Sequence, residues 1–121
     1  MPLVVFYRDE DGSVPLLKWL AALPADAVDR CRALIRRLGE LGSGMRRPAA
    51  DTLTEGIHEL RMKHHGINYR MLYFFHGRGV VVITHGFVKQ RSRVPRREID
   101  MAHARRRKFE TDAGRHSHRE A

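Results

Sequence analysis

Between Leu60 and Pro95 the side chains that could do chemistry are almost all cationic or imidazole: Arg61, Lys63, His64, His65, Arg70, His85, Lys89, Arg91 and Arg93. The one acid beside them is Glu59. A guanidinium offers a planar fork of donors that fits a phosphate, and lysine and histidine can move protons. Cleaving RNA through its own 2′-hydroxyl needs three things: a base for that hydroxyl, cationic stabilisation of the phosphorane and a proton for the leaving 5′-oxygen. This set has the residue types for all three. A purely solvated basic face is the bland alternative, but the charge is clustered beyond what solubility needs.

Elements that could position these residues follow from periodicity. Leu3 to Tyr7 reads as a short buried strand. Ser13 is a candidate N-cap, with Pro15 in the first turn of a helix that stops before Pro24. A second helix carries Val28, Cys31, Leu34, Ile35, Leu38 and Leu41 on one face and ends at Gly42 or Gly44. Its arginines, Arg30, Arg32, Arg36 and Arg37, fall mostly on the other side. Residues 42–56 read as a linker of turn formers. Three alternating strands follow, over about 57–63, 68–75 and 80–88, joined by His64-His65-Gly66 and His76-Gly77-Arg78-Gly79. A last helix spans about 95–109, with Ile99, Ala102 and Phe109 inward. The expected fold is α+β in the order βααβββα. An antiparallel sheet of about four strands carries a helical hairpin and a C-terminal helix. Residues 1–109 form one domain, and 110–121 read as a disordered basic tail.

Composition narrows the partners. The chain has 121 residues and a formal charge of +9. Residues 1–60 carry a net −1 and residues 61–121 a net +10, so the cationic surface belongs to the second half. Nucleic acid is the favoured partner of such a surface. The single cysteine, Cys31, excludes an intramolecular disulfide and suits a reducing cytoplasm. No apolar run reaches the roughly 20 residues of a membrane helix, and the N-terminus lacks the pattern of a signal peptide. The expected location is cytoplasmic, with no membrane partner.

Four blocks in order carry a resemblance. They are Glu59-Leu60-Arg61; Tyr69-Arg70-Met71-Leu72-Tyr73-Phe74; His85-Gly86-Phe87-Val88-Lys89; and Pro95 with the helix that follows. Together they resemble the phage-derived, HigB-type branch of the RelE/ParE toxin superfamily, over roughly residues 3–109. The resemblance implies a RelE-like fold and the toxin of a type II toxin–antitoxin pair. It further implies a metal-independent, ribosome-dependent messenger RNA endoribonuclease, with no cofactor and no bound metal. Its partners would be a helix-turn-helix antitoxin, the ribosome and mRNA. A ParE-like inhibitor of DNA gyrase, or a non-catalytic nucleic-acid binder, is the alternative.

The resemblance also assigns candidate residues. Arg70 matches the strand arginine of the family and would grip the scissile phosphate; pairing with Glu59 across the ladder is its structural alternative. Lys89 matches the strand-end cation. Arg61 and Lys63, two apart and therefore on one face, match the basic strand positions. His64 and His65 are further catalytic candidates, as possible bases in a turn. Arg91, Arg93, Arg96, Arg97, Arg105 and Arg106 would contact RNA or ribosome phosphates. Two features depart from the family: no tyrosine follows Tyr73, and no aspartate partner is evident near the histidines. His85, expected on one face with Ile83 and Phe87, reads as a satisfied, partly buried residue. His116 and His118 read as part of the flexible tail.

Overall fold

The computed structural model describes residues 1–120. Its strands are β1 (Leu3–Tyr7), β2 (Ala50–Thr54), β3 (Ile57–His64), β4 (Ile67–His76), β5 (Val80–Lys89) and β6 (Ser117–His118). Its helices are α1 (Pro15–Ala21), α2 (Ala25–Leu41) and α3 (Arg96–Thr111). The α+β class and the expected helices are present. The sheet differs from the expected one: it has six strands in the order β2-β3-β4-β5-β1-β6, and it is mixed. β1 lies parallel to β5, with Leu3 opposite Val80, and Leu3 N donates to Gly79 O at 2.6 Å. That pairing satisfies backbone groups the isolated strand would have left open.

Two strands come from segments that showed no strand pattern. β2 lies inside the expected linker, and Glu55 and Gly56 both take positive φ, at 49° and 82°. This is the two-residue turn that joins tightly twisted antiparallel strands. β6 lies in the tail expected to be disordered, pairing Phe6 with His118. His116 is buried there, stacked on Tyr7 with centroids 5.4 Å apart, and its Nδ1 sits 2.8 Å from Arg8 O. Ser13 does not cap α1; its N and Oγ both donate to Asp11 Oδ1, at 2.9 and 2.6 Å, and Val14 takes the N-cap position.

The sheet separates two cores. Leu60, Met62, Tyr69, Met71, Val81 and Ile83 pack under α1 and α2. Val5, Leu72, Phe74, Val82 and Phe87 pack under α3, against Ala102 and Phe109. Trp19 of α1 lies so close over Gly86 that a Cβ there would overlap its ring.

A β-bulge at Thr84 changes the alternation of β5. Leu72 pairs with His85 but Tyr73 pairs with Ile83, leaving Thr84 without an opposite number. Ile83 therefore points into the α1/α2 core, while His85 and Phe87 turn to the α3 side. The expectation that all three share a face is corrected on this account.

His85 fastens α3 to the sheet. Its Nε2 lies 3.0 Å from Glu98 Oε1 and its Nδ1 lies 2.9 Å from Thr84 Oγ1. Burial pushes its pKa below the ordinary value of 6.5, against the opposing pull of Glu98. Folded His85 thus stays neutral where the unfolded residue would bind a proton, so the unfolded state gains protons first on acidification. Stability should fall as pH drops from 6.5 toward the lower folded value. The His85→Gln variant should lose part of that slope, read by thermal unfolding between pH 7.5 and roughly 5. An unchanged slope in the variant would contradict this role.

Candidate phosphate-binding groove

The strand arginines are set by register. Arg61 of β3 stands opposite Arg70 of β4, and Arg70 stands opposite Phe87 of β5. One step toward the sheet end, Lys63, Asn68 and Lys89 form the next row across the same three strands. Directly opposed residues share a face, so all five polar side chains occupy the α3 side of the sheet. The Thr84 bulge is what brings Lys89 to this face; strict alternation from Ile83 would have sent it to the other.

Two guanidiniums directly opposed on neighbouring strands repel. Glu59 resolves the conflict. Its Oε1 lies 3.0 Å from Arg70 Nε and its Oε2 lies 3.1 Å from Arg61 Nε. Glu59 is 2% exposed and Arg70 8%. The Arg70–Glu59 contact is close, but its angles fall outside hydrogen-bond geometry, so it acts chiefly as charge on charge. Arg70 also donates from an Nη to Tyr69 O at 3.2 Å. Burial pushes the Arg70 pKa down and Glu59 pulls it back. Arg61 reaches further, to Asp51 Oδ2 at 3.2 Å, and Arg47 holds the same oxygen at 3.0 Å. The expected cross-strand pairing of Arg70 with Glu59 is therefore present, and it holds a largely buried arginine at the sheet surface.

A groove of about 550 Å³ opens at this point. β2 pairs with β3 only as far as Leu60, with one further bond from Arg61 N to Ala49 O at 2.7 Å. Beyond it, α2 stands beside the unpaired β3 edge. The groove is lined by Arg61, Lys63, Asn68 and Arg70 from the strands, and by Arg30 and Arg37 from α2, with apolar residues between them. Five of its lining residues are Lys or Arg and none is acidic. Such a slot suits an anionic backbone. The two helix arginines escaped the sequence reading. Their spacing of seven, on either side of Leu34, was the available signal, since it puts both on one stripe of α2.

Other expected site residues lie elsewhere. His64 points to the α2 side, where its Nε2 is 2.7 Å from Asp26 Oδ2, so an aspartate partner exists after all. It was invisible in sequence because it lies 38 residues away. His65 is an exposed turn residue, and neither histidine lines the groove. Arg91 and Arg93 are exposed in the loop after β5, and Arg96 and Arg97 in the first turn of α3. Arg106 is tied to Glu110 at 3.3 Å and to Glu55 O at 3.4 Å. Arg105 turns inward: its guanidinium lies over the Tyr7 ring at 5.6 Å, and one Nη is fully buried. It is a packing cation more than an outward contact. Tyr69 and Tyr73 are both buried, and burial pushes the Tyr73 phenol up to about 12.

The model of the family described as "Phage derived protein Gp49-like (DUF891)" matches residues 18–107. The chain belongs to that family, part of the RelE/Gp49 toxin-like superfamily and associated with toxins of toxin–antitoxin systems. The match runs from within α1 to within α3 and includes every residue that lines the groove. No curated protein matches the chain. Among the described residues, no helix is long and apolar enough to cross a membrane.

Glu59 gives the sharpest test of this geometry. The Glu59→Gln variant keeps the shape but leaves two buried or half-buried guanidiniums facing each other. It should lose roughly 3 kcal/mol of stability, as expected when one partner of a buried ion pair is removed. Urea unfolding would show a lower midpoint with an unchanged slope. A loss below about 1 kcal/mol would mean the pairs behave as solvent-screened surface contacts.

Proposed function

We propose that this Gp49-like chain is the toxin of a type II toxin–antitoxin pair, acting as a ribosome-dependent messenger RNA endoribonuclease and neutralised by a small helix-turn-helix antitoxin. The observation that carries the reading is the groove. Arg30, Arg37, Arg61, Lys63 and Arg70 line it with no acid among them, and Glu59 holds two of those guanidiniums in place from beneath. A single RNA strand would lie along the β3 edge, its phosphates between the strand and α2.

In this reading the 2′-hydroxyl attacks the adjacent phosphorus, the 5′-oxygen leaves and a 2′,3′-cyclic phosphate forms. Arg70 and Arg61 grip the non-bridging oxygens and offset the charge that builds on the phosphorane. Proton transfer falls to Lys63 and Lys89, which flank Asn68 in one row. The tyrosines are unsuited to it. Tyr73 is buried with a raised pKa, and Tyr69 packs against Trp19 with centroids 6.1 Å apart. His64 is committed to Asp26, away from the groove. Arg91, Arg93, Arg96 and Arg97 form a second, exposed cationic group suited to ribosomal RNA phosphates.

The reading is tested by inducing the wild type, Arg70→Lys and Lys89→Ala in cells and mapping new RNA 5′ ends. Arg70→Lys keeps charge against Glu59, which protects the fold, but loses the planar fork. Wild type should cut within translated reading frames, and each variant should cut roughly a hundredfold less, the scale set by losing one preorganised donor. Growth arrest retained in both variants would overturn the assignment of these residues. DNA damage signalling without RNA cuts would favour gyrase as the target.

A further inference from the structure

Away from the groove, Asp26, His64 and His65 bring three ligand-type atoms within 4.8 Å of one another. The residues come from two separate parts of the fold. Asp26 is in the first turn of α2, His64 ends β3, and His65 opens the β3–β4 turn. His64 Nε2 lies 2.7 Å from Asp26 Oδ2, and His65 Nε2 lies 3.6 Å from the same oxygen. The two imidazoles meet edge to face with centroids 4.0 Å apart. His65 adopts φ of 51°, a conformation that a residue with a side chain seldom takes. Both rings come within reach of Asp26 on α2.

We propose that Asp26, His64 and His65 form a binding site for a divalent cation of the zinc type, which ties the first turn of α2 to the β3–β4 turn. Two imidazole nitrogens and one carboxylate oxygen suit Zn²⁺, Cu²⁺ or Ni²⁺, whereas Mg²⁺ and Ca²⁺ prefer oxygen alone. A tetrahedral Zn²⁺ with bonds near 2.1 Å separates its ligand atoms by about 3.4 Å. The His65–Asp26 spacing already has that span. The His64–Asp26 hydrogen bond has to open by less than about 1 Å to reach it. Asp26 is free to make that adjustment, since its side chain is 58% exposed. A fourth position stays open to water, as in sites with three protein ligands.

The site is placed to act on the groove whatever the groove binds. Arg30 follows Asp26 by one helical turn, and Lys63 immediately precedes His64; both line the groove. A bound ion would therefore pin the α2 wall to the strand wall at one end.

The test uses the untagged full-length chain, freed of metal by a chelator and titrated with Zn²⁺ in a calorimeter. One ion should bind per chain, and the melting temperature should rise with it. His64→Ala and Asp26→Asn should each weaken binding by roughly tenfold or more. His118→Ala is the control, because His118 lies beside Glu120 in the tail; its binding should match the wild type. Circular dichroism confirms that each variant is folded, and His65→Ala, which removes a side chain that is 75% exposed, should weaken binding without lowering the melting temperature of the metal-free chain. Absence of stoichiometric binding in the wild type would overturn the proposal. So would unchanged affinity in a His64→Ala/His65→Ala double variant, or loss of binding in His118→Ala.

Discussion

A nearly inaccessible carboxylate, Glu59, lies between two guanidiniums that the strand register sets opposite each other. Removing an acid from water costs several kcal/mol unless its charge is met at close range. Here both oxygens are met, one by Arg70 and the other by Arg61. In return, two like charges on adjacent strands are tolerated at the centre of a cationic surface. Asp51, on the edge strand β2, extends the network by holding Arg61 and Arg47. The groove's charge depends on this arrangement, because it holds both arginines in the lining, Arg61 a third exposed and Arg70 largely buried.

The second constraint is the bulge at Thr84. A single unpaired residue reverses the alternation of β5 over its last five residues. That reversal places His85 against Glu98, so that α3 is anchored, and it places Lys89 in the row of Asn68 and Lys63. One backbone irregularity thus serves both packing and the candidate site. α2 contributes the facing wall. Its buried stripe of Ala27, Cys31, Leu34 and Leu38 seats it on the sheet, which leaves Arg30 and Arg37 at the β3 edge.

The meander over β3, β4 and β5 was legible because alternation and two short Gly-containing turns are local signals. The cationic identity of Arg61, Lys63, Arg70 and Lys89 was legible too. What escaped was every feature fixed by distant pairing. β2 shows little alternation, since its outer face is polar, and only Leu53 and Ala50 mark its packing. β6 is a two-residue strand whose order comes from Tyr7 stacking on His116 rather than from its own sequence. The parallel pairing of β1 is set by tertiary closure, which no local period encodes. The Asp26–His64 contact and the arginines of α2 are likewise products of the fold, joining segments that are far apart in the chain.

The central claim is that the Glu59-braced groove neutralises RNA phosphates. It is tested most directly by the salt dependence of affinity for a short single-stranded RNA. Each phosphate neutralised on a single strand contributes about −0.7 to the slope of log affinity against log salt, so five groove cations predict about −3.5. The Arg30→Ala/Arg37→Ala double variant should reduce that slope by about 1.4. A slope near zero in the wild type, or one that the double variant leaves unchanged, would contradict the account.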